Sequence, residues 1–192
     1  KIDILVKKGN ESLVVGNPKI HQVYTFNKAK GKYKGIFQLI KTFRKNHYDF
    51  VLNLHRFASS GILAGLSGGK KRYGFQKNPF SFLYTKRFPH IIGNGTHEVT
   101  RNLSLLKEFG AAELIRPELF PTQADFNAIV ALQREPYICI APASVWHTKQ
   151  LPEEKWVALL QKQSNVNVYI LGGPDDNELA ERIATKVNTI PV

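Results

Sequence analysis

Short apolar runs alternate with amphipathic stretches along most of the chain. The runs are too short for helices and predict β-strands over residues 2–6, 20–26, 50–54, 72–75, 137–141 and 168–171. Those at 50–54 and 137–141 are apolar on both sides of the chain, which is typical of strands covered on both faces of a parallel sheet. Strands that alternate with helices predict an α/β fold built on parallel sheets.

Helical periodicity is clearest in residues 35–46. The apolar side chains there recur at i, i+3, i+4 and i+7 and therefore share one face: Ile36, Leu39, Ile40 and Phe43. The basic residues of the same stretch are predicted to form its solvated face: Lys41, Arg44 and Lys45. Similar patterns predict helices over residues 59–66, 97–109, 126–133, 152–160 and 175–187.

An irregular stretch divides the chain. Residues 111–123 contain Pro117 and Pro121 without a clear period, so they are predicted to link two domains, residues 1–121 and residues 122–192. The sequence has no methionine and opens directly in a strand-like run. We therefore expect a piece of a longer protein, and no stretch of the sequence is apolar enough over a sufficient length to span a membrane.

Charge is the strongest compositional feature, at +12 with a pI near 9.8. A basic surface favours nucleic acid, an anionic membrane or a phosphorylated substrate, and charge alone does not choose among them. The single cysteine, Cys139, lies in an apolar strand and is predicted to be a core residue, which fits a reducing compartment. The six histidines show no zinc spacing, so we predict no metal site.

The loop after the strand at 137–141 has the chemistry of a phosphate site. It carries Ser144, Thr148 and Lys149, and Pro152 is predicted at the first helical position, where an amide would be unpaired. Hydroxyls, free amides at a helix start and a mobile lysine charge all suit a phosphate group. An ordinary strand–loop–helix unit with a solvated lysine shows the same pattern, so the loop alone leaves both interpretations open.

This loop and the later segment Val168-Tyr-Ile-Leu-Gly-Gly-Pro-Asp-Asp-Asn-Glu178 together resemble the donor-binding half of the ADP-heptose:lipopolysaccharide heptosyltransferases, glycosyltransferase family 9. Members of that family show a strand, a Pro-Gly/Ala-Ser/Thr loop and Lys-x-Trp-Pro, followed later by a strand that ends in Gly-Gly-x-x-Asp/Glu. Here Lys149-Gln-Leu-Pro152 keeps the lysine and the proline but has Leu151 in place of tryptophan.

The resemblance implies the GT-B fold, in which two Rossmann-like domains face a cleft, here incomplete at both ends. Residues 1–121 would be the acceptor-side domain without its first strand and helix, and residues 122–192 the start of the nucleotide-sugar donor domain. The implied donor contacts are Ser144, Thr148, Lys149, Gly172, Gly173 and Glu178. Glu178 has a second interpretation, because Asp175 and Glu178 also have the spacing of a helix capping box.

Two pairs of residues are candidates for binding an anionic acceptor. His55 and Arg56 directly follow the predicted strand at 50–54, at the ligand-facing end of a parallel sheet. His97 and Arg101 stand one helical turn apart, and the family has a similar His-x-x-x-Arg near its acceptor. The spacing of the second pair also fits two polar residues on a helix surface.

The activity implied by the resemblance is a bacterial one, an inverting transfer of heptose from ADP-heptose to the anionic inner core of lipopolysaccharide, with neither a metal nor a cofactor. The implied location is the cytoplasmic face of the inner membrane, in peripheral contact with it and without a specific nucleic-acid partner. The family's catalytic aspartate lies in an N-terminal turn that this sequence does not contain, and Asp3 is not expected to replace it. Two alternatives stay open: a GT-B transferase that uses another nucleotide sugar, and a basic α/β module that binds nucleic acid.

Overall fold

A computed structural model describes residues 1–27, 31–110 and 114–187, which form two compact units, Lys1–Phe120 and Pro121–Val192. The strands of these ranges are β1 (Ile2–Lys7), β2 (Ile20–Phe26), β3 (Phe50–Asn53), β4 (Lys71–Phe75), β5 (Lys86–Phe88), β6 (Tyr137–Ile140) and β7 (Asn167–Ile170). The helices are α1 (Lys32–Lys45), α2 (Ala58–Leu66), α3 (Glu98–Leu103), α4 (Gln123–Ile129), α5 (Glu153–Leu160) and α6 (Asn177–Val187).

All strand pairings in these ranges are parallel, as the alternation of strands and helices predicts. The first unit contains the sheets β1–β2 and β3–β4–β5, and the second unit contains β6–β7. Each of the six predicted strands forms within a residue of its predicted ends. Strand β5 was not predicted, because its Lys-Arg-Phe sequence has no apolar run and it is held by pairing with β4.

The apolar face of α1 packs where its periodicity predicts. Ile36, Ile40 and Phe43 are buried together with Phe26 of β2 and Leu63 of α2. Burial of each large side chain contributes about 1.5–3 kcal/mol, so this cluster fixes the position of α1 on the first unit. The helix begins one turn earlier than predicted, at Lys32.

The core of the second unit lies on one face of the β6–β7 sheet. Ile140, Val168 and Ile170 of the strands are buried with Leu160 of α5 and Ile183 of α6. This packing places α5 and α6 side by side over the sheet.

Strands β3 and β6 are covered on one face only in the described structure. Phe50 and Leu52 of β3 are 41% and 40% exposed. In β6, Tyr137 and Cys139 are exposed, whereas Ile140 is buried. The predictions of coverage on both faces and of a core position for Cys139 are therefore wrong here. A strand with apolar residues on both of its faces carries no periodicity that tells one face from the other.

The predicted helix over residues 97–109 divides into α3 and a 3-10 turn, Ser104–Phe109. The buried side chains are Arg101 and Leu105, whereas Val99 and Phe109 of the predicted apolar face are exposed. Arg101 is buried with its two terminal nitrogens hydrogen-bonded to Glu98 and to the Thr96 carbonyl, whereas its Nε has no hydrogen-bond partner among the described residues. Periodicity does not report these contacts. Gly110 ends the turn at φ +107°, as predicted for a helix stop.

Candidate functional site

Two loops leave the β6–β7 sheet at the same edge. The parallel register pairs Ile140 with Ile170, which are the last residues of the two strands. The Leu171 N–H donates to the Ile140 carbonyl at 2.8 Å and extends the pairing. The loop that carries Lys149 and the loop that opens with Gly172 therefore start side by side, at the carboxyl edge where parallel sheets bind ligands.

Lys149 ends a 3-10 turn, His147–Lys149. Its N–H donates to the Trp146 carbonyl at 2.8 Å, and the Trp146 N–H donates to Ser144 Oγ at 3.2 Å. Thr148 and Lys149 are exposed, and their side chains have no hydrogen bond or ion pair with any residue in the described ranges. The loop thus presents an amine and a hydroxyl without a partner among the residues that the structure describes.

The amino end of α5 differs from the prediction. Pro152 is the N-cap, and the helix begins at Glu153, so the predicted first helical position of the proline is wrong by one residue. Glu153 and Glu154 occupy the first turn, where their charges offset the positive end of the helix dipole. Lys149, rather than the start of α5, is therefore the main positive group of this loop.

The Glu153 carboxylate is held by two cations of α6. Lys186 Nζ donates to Oε1 at 2.7 Å, and Arg182 Nε donates to Oε2 at 3.0 Å. The hydrogen bonds from Lys186 and Arg182 hold the pKa of Glu153 below its ordinary value. This Glu153 clamp, formed by Glu153, Arg182 and Lys186, ties the helix after the Lys149 loop to the helix after the Gly172 loop.

Gly172 and Gly173 form a tight turn around Asp176. The Asp176 carboxylate accepts the Gly173 N–H at 2.8 Å, and a Cβ on Gly172 would lie 2.9 Å from the Asp176 Cβ. The glycine is therefore required by the turn itself, whatever ligand approaches it. The capping interpretation of Asp175 and Glu178 is wrong, because Asp176 closes this turn with Gly173.

Glu178 lies exposed in the first turn of α6. Its role as a ribose contact stays a prediction. Its position at the helix that follows the Gly172 loop keeps it on the same side of the unit as the two loops described above.

In the first unit, His55 and Arg56 are exposed directly after β3. The side-chain amide of Asn78 holds this segment, since Nδ2 donates to the carbonyls of His55 and Phe57 at 3.0 Å each. The His55 N–H donates to Asn53 Oδ1 at 3.0 Å. Asn78 was not identified from the sequence, where Asn78-Pro79 signals only a turn.

The second predicted pair has a different environment. His97 caps α3 through Nδ1, which accepts the Val99 N–H at 3.3 Å. Arg101 is 9% exposed; its guanidinium donates to the Glu98 carboxylate and, at 2.7 Å, to the Thr96 carbonyl. Arg101 is thus not a helix-surface residue, and a role for the pair in acceptor binding stays a prediction.

Asp3 lies at the amino end of β1, opposite to the ligand-binding edge of a parallel sheet. It accepts Tyr48 Oη–H at 2.5 Å and contacts His21 Nδ1 at 3.0 Å. Partial burial raises the pKa of Asp3, but the hydrogen bonds from Tyr48 and His21 outweigh it and lower the pKa overall. Burial and the Asp3 carboxylate raise the pKa of Tyr48. This arrangement is structural.

Metal-ligating side chains are dispersed over the described ranges. No three histidine, cysteine, aspartate or glutamate side chains among these residues come together as a possible metal site.

Comparison with protein families matches residues 36–192 to glycosyltransferase family 9 (heptosyltransferase). Over 211 aligned residues the chain is 28% identical to lipopolysaccharide heptosyltransferase 3 of Escherichia coli K12 and 26% identical to a second E. coli protein of that name. The alignments take in the whole chain but only 60% and 61% of these relatives. The chain thus spans about 60% of the length of the curated relatives it matches.

Solved structures show the same fold. The glycosyltransferase family 9 protein of Veillonella parvula superposes with a TM-score of 0.80 at 17% identity, covering 100% of this chain and 59% of that one. E. coli ADP-heptose LPS heptosyltransferase II superposes with a TM-score of 0.76 at 16% identity, covering 99% of this chain and 62% of that one. E. coli heptosyltransferase WaaC, solved with ADP, superposes with a TM-score of 0.71 at 21% identity, covering 100% of this chain and 65% of that one. The predicted α/β, GT-B fold class is confirmed.

Proposed function

The chain belongs to glycosyltransferase family 9, and from that membership we propose that the protein is an inverting heptosyltransferase that moves heptose from ADP-heptose to the inner core of lipopolysaccharide. The observation that carries the proposal is the position of Lys149. It lies in a loop at the carboxyl edge of the β6–β7 sheet, exposed and without a partner in the described ranges. A lysine of this kind suits a diphosphate, which is a dianionic group at neutral pH.

The second unit supplies the proposed donor site. Lys149 binds the diphosphate, and Thr148 and Ser144 add hydroxyl contacts. Gly172 and Gly173 bring backbone close to the nucleotide, and Glu178 accepts hydrogen bonds from the ribose hydroxyls. These roles are supported by the shared edge from which both loops leave the sheet.

The proposed reaction is a single displacement at the anomeric carbon. A base removes the proton of the acceptor hydroxyl, whose oxygen forms a new bond to that carbon while the bond to the diphosphate breaks, and ADP leaves with the electron pair. Lys149 stabilises the charge that develops on the leaving group. In this proposal the protein supplies the positive charge, so the reaction uses neither a metal nor a cofactor. We assign no residue of this chain as the base.

The first unit supplies the proposed acceptor contacts. His55 and Arg56 are best placed, because both are exposed at the carboxyl end of β3. His97 and Arg101 complete the set, although the Arg101 guanidinium is already hydrogen-bonded to Glu98 and Thr96. An anionic acceptor suits this basic chain.

The proposed location is the cytoplasmic face of the bacterial inner membrane, with peripheral contact. Among the helices of the described ranges, none combines the length and the apolar character needed to cross a bilayer. Support for a peripheral contact comes from the net charge of +12, which favours anionic surfaces.

A thermal-shift screen of nucleotide sugars tests the proposed donor. ADP-heptose and ADP are expected to raise the Tm more than UDP- or GDP-linked sugars at equal concentration, because binding to the folded state stabilises it. The competing possibility is a transferase of the same fold that uses another nucleotide sugar. A larger shift with a UDP or GDP donor would establish that alternative and contradict the proposal.

A further inference from the structure

The outward side of α1 is aromatic and basic. Tyr33 and Phe37 are 81% and 70% exposed, and Lys34, Lys41 and Lys45 are exposed beside them. At 100° per residue these five side chains fall within an arc of about 120°, which adjoins the buried apolar face of the helix. We call this surface the α1 patch. No acidic residue occurs anywhere in α1.

The lysine charges of the α1 patch are not neutralised within the described part of the chain. Lys34, Lys41 and Lys45 form no ion pair with the residues that the structure describes. Other lysines of this chain are paired, for example Lys70 with Asp49 at 2.7 Å and Lys186 with Glu153 at 2.7 Å. The patch therefore combines free positive charge with large apolar side chains.

The helix that carries the patch is firmly held. The adjoining face of α1 is buried in the core of the first unit. Arg44 Nε also donates to the Leu66 carbonyl at 2.9 Å and ties α1 to α2. A rigid helix that exposes two aromatic rings beside three lysines has the pattern of a helix lying flat in a membrane interface.

We propose that the α1 patch docks the protein on an anionic lipid bilayer. Phe37 and Tyr33 enter the boundary between headgroups and acyl chains, while the three lysines lie at the level of the anionic headgroups. Charge complementarity selects an anionic surface, and the exposed rings favour an apolar interior that they can enter directly, whereas entry into the stacked bases of a duplex requires unstacking. This inference rests on the proposed function only for the lipid nature of the acceptor.

Sedimentation of the full chain with lipid vesicles tests the proposal without donor or acceptor. The vesicles are phosphatidylcholine with or without about one-third phosphatidylglycerol, which supplies the negative surface potential that attracts basic residues. The wild type is expected to bind the anionic vesicles and not the neutral ones. Lys34→Gln/Lys41→Gln/Lys45→Gln is expected to weaken this binding by about tenfold or more.

A matched variant separates the patch from net charge. Lys7, Lys19 and Lys77 are exposed lysines of the same unit, and their triple change to glutamine removes the same three charges. It is expected to weaken vesicle binding by less than about threefold. Equal losses in the two triple variants would show that overall charge drives binding and would overturn the proposal.

An aromatic variant tests insertion. Phe37→Ser is expected to weaken binding at a salt concentration that screens the lysines, whereas Phe82→Ser, at a residue 67% exposed, is expected to leave it unchanged. No effect of Phe37→Ser would overturn the proposal. The proposal would also be overturned if the triple lysine variant of the patch lost binding to duplex DNA but kept its binding to vesicles.

Vesicle binding that persists when ADP-heptose fails to bind would contradict the proposed function and leave the docking surface intact.

Discussion

Arg182 Nε lies 3.0 Å from Glu153 Oε2 and joins α6 to the first turn of α5. Each of these helices follows one of the two candidate donor loops. The relative position of Lys149 and Gly172 therefore depends on an ion pair outside the loops themselves.

Glu153→Gln removes the negative charge that holds Arg182 and Lys186 in the Glu153 clamp. We expect the Tm at pH 7 to fall by about 1–3 °C, because the amide weakens two charge-assisted hydrogen bonds at the surface of the unit. Glu154→Gln changes the same charge in the same helical turn, where Glu154 is exposed, and is expected to have little effect. Calorimetric scans of the three proteins measure the difference.

The effect of Glu153→Gln depends on pH in a defined direction. Because the clamp lowers the pKa of Glu153, its contribution is complete above the ordinary glutamate value of about 4.3 and is lost as pH falls through the lower folded value. The difference in Tm between Glu153→Gln and the wild type should thus be largest at pH 7 and should disappear at strongly acidic pH. A difference that persists or grows under acid would contradict this account.

Lys149→Ala removes the amine assigned to the diphosphate. We expect the Kd for ADP to rise by about tenfold or more, since a charged hydrogen bond contributes about 1.5–3 kcal/mol. Titration calorimetry gives the Kd, and Lys162→Ala, at an exposed lysine beyond α5, serves as the control. Unchanged ADP affinity in Lys149→Ala would remove this residue from the site.

Gly61→Ala tests the support of the His55 segment. The new Cβ would lie 2.0 Å from Asn78 Oδ1, so Asn78 must move and lose its bonds to the carbonyls of His55 and Phe57. We expect a loss of about 1–3 kcal/mol in the free energy of unfolding, measured by urea denaturation. Gly35→Ala, also within a helix, meets Phe26 at an ordinary 3.4 Å and is expected to be neutral or stabilising.

Arg101→Ala separates a structural role from acceptor binding. The change leaves Glu98 Oε2 and the Thr96 carbonyl without their donor, so we expect about 1–3 kcal/mol of lost stability in urea denaturation. The exposed Arg87→Ala should change stability by less than about 0.5 kcal/mol. If Arg101→Ala unfolds at the same urea concentration as the wild type, the structural assignment is wrong.

The strands and the buried face of α1 were predictable because local periodicity encodes them. The side of β6 that is covered was not, since Tyr137, Cys139 and Ile140 are all apolar and only packing against α5 and α6 distinguishes them. The burial of Arg101 was also outside the reach of periodicity. It depends on a hydrogen bond to a backbone carbonyl in the preceding loop.

For the candidate site, sequence placed the loops but not the residues that hold them. Strand ends locate Lys149 and Gly172 at a sheet edge, because parallel strands share that edge. Asn78 and Arg182 were missed, since each acts on a segment more than twenty residues away in the chain. Such distant partners leave no spacing signal in a single sequence.

The parallel pairing of every described strand also bears on how the chain reaches its native state. Ile2 pairs with Ile20 and Tyr137 with Asn167, so a crossover must close before any interstrand hydrogen bond forms. Because loop closure must come before these pairings form, refolding is expected to be slower than that of a helical bundle of similar size. During refolding, unpaired backbone edges can associate between molecules, and dilute, cool refolding should recover the most monomer.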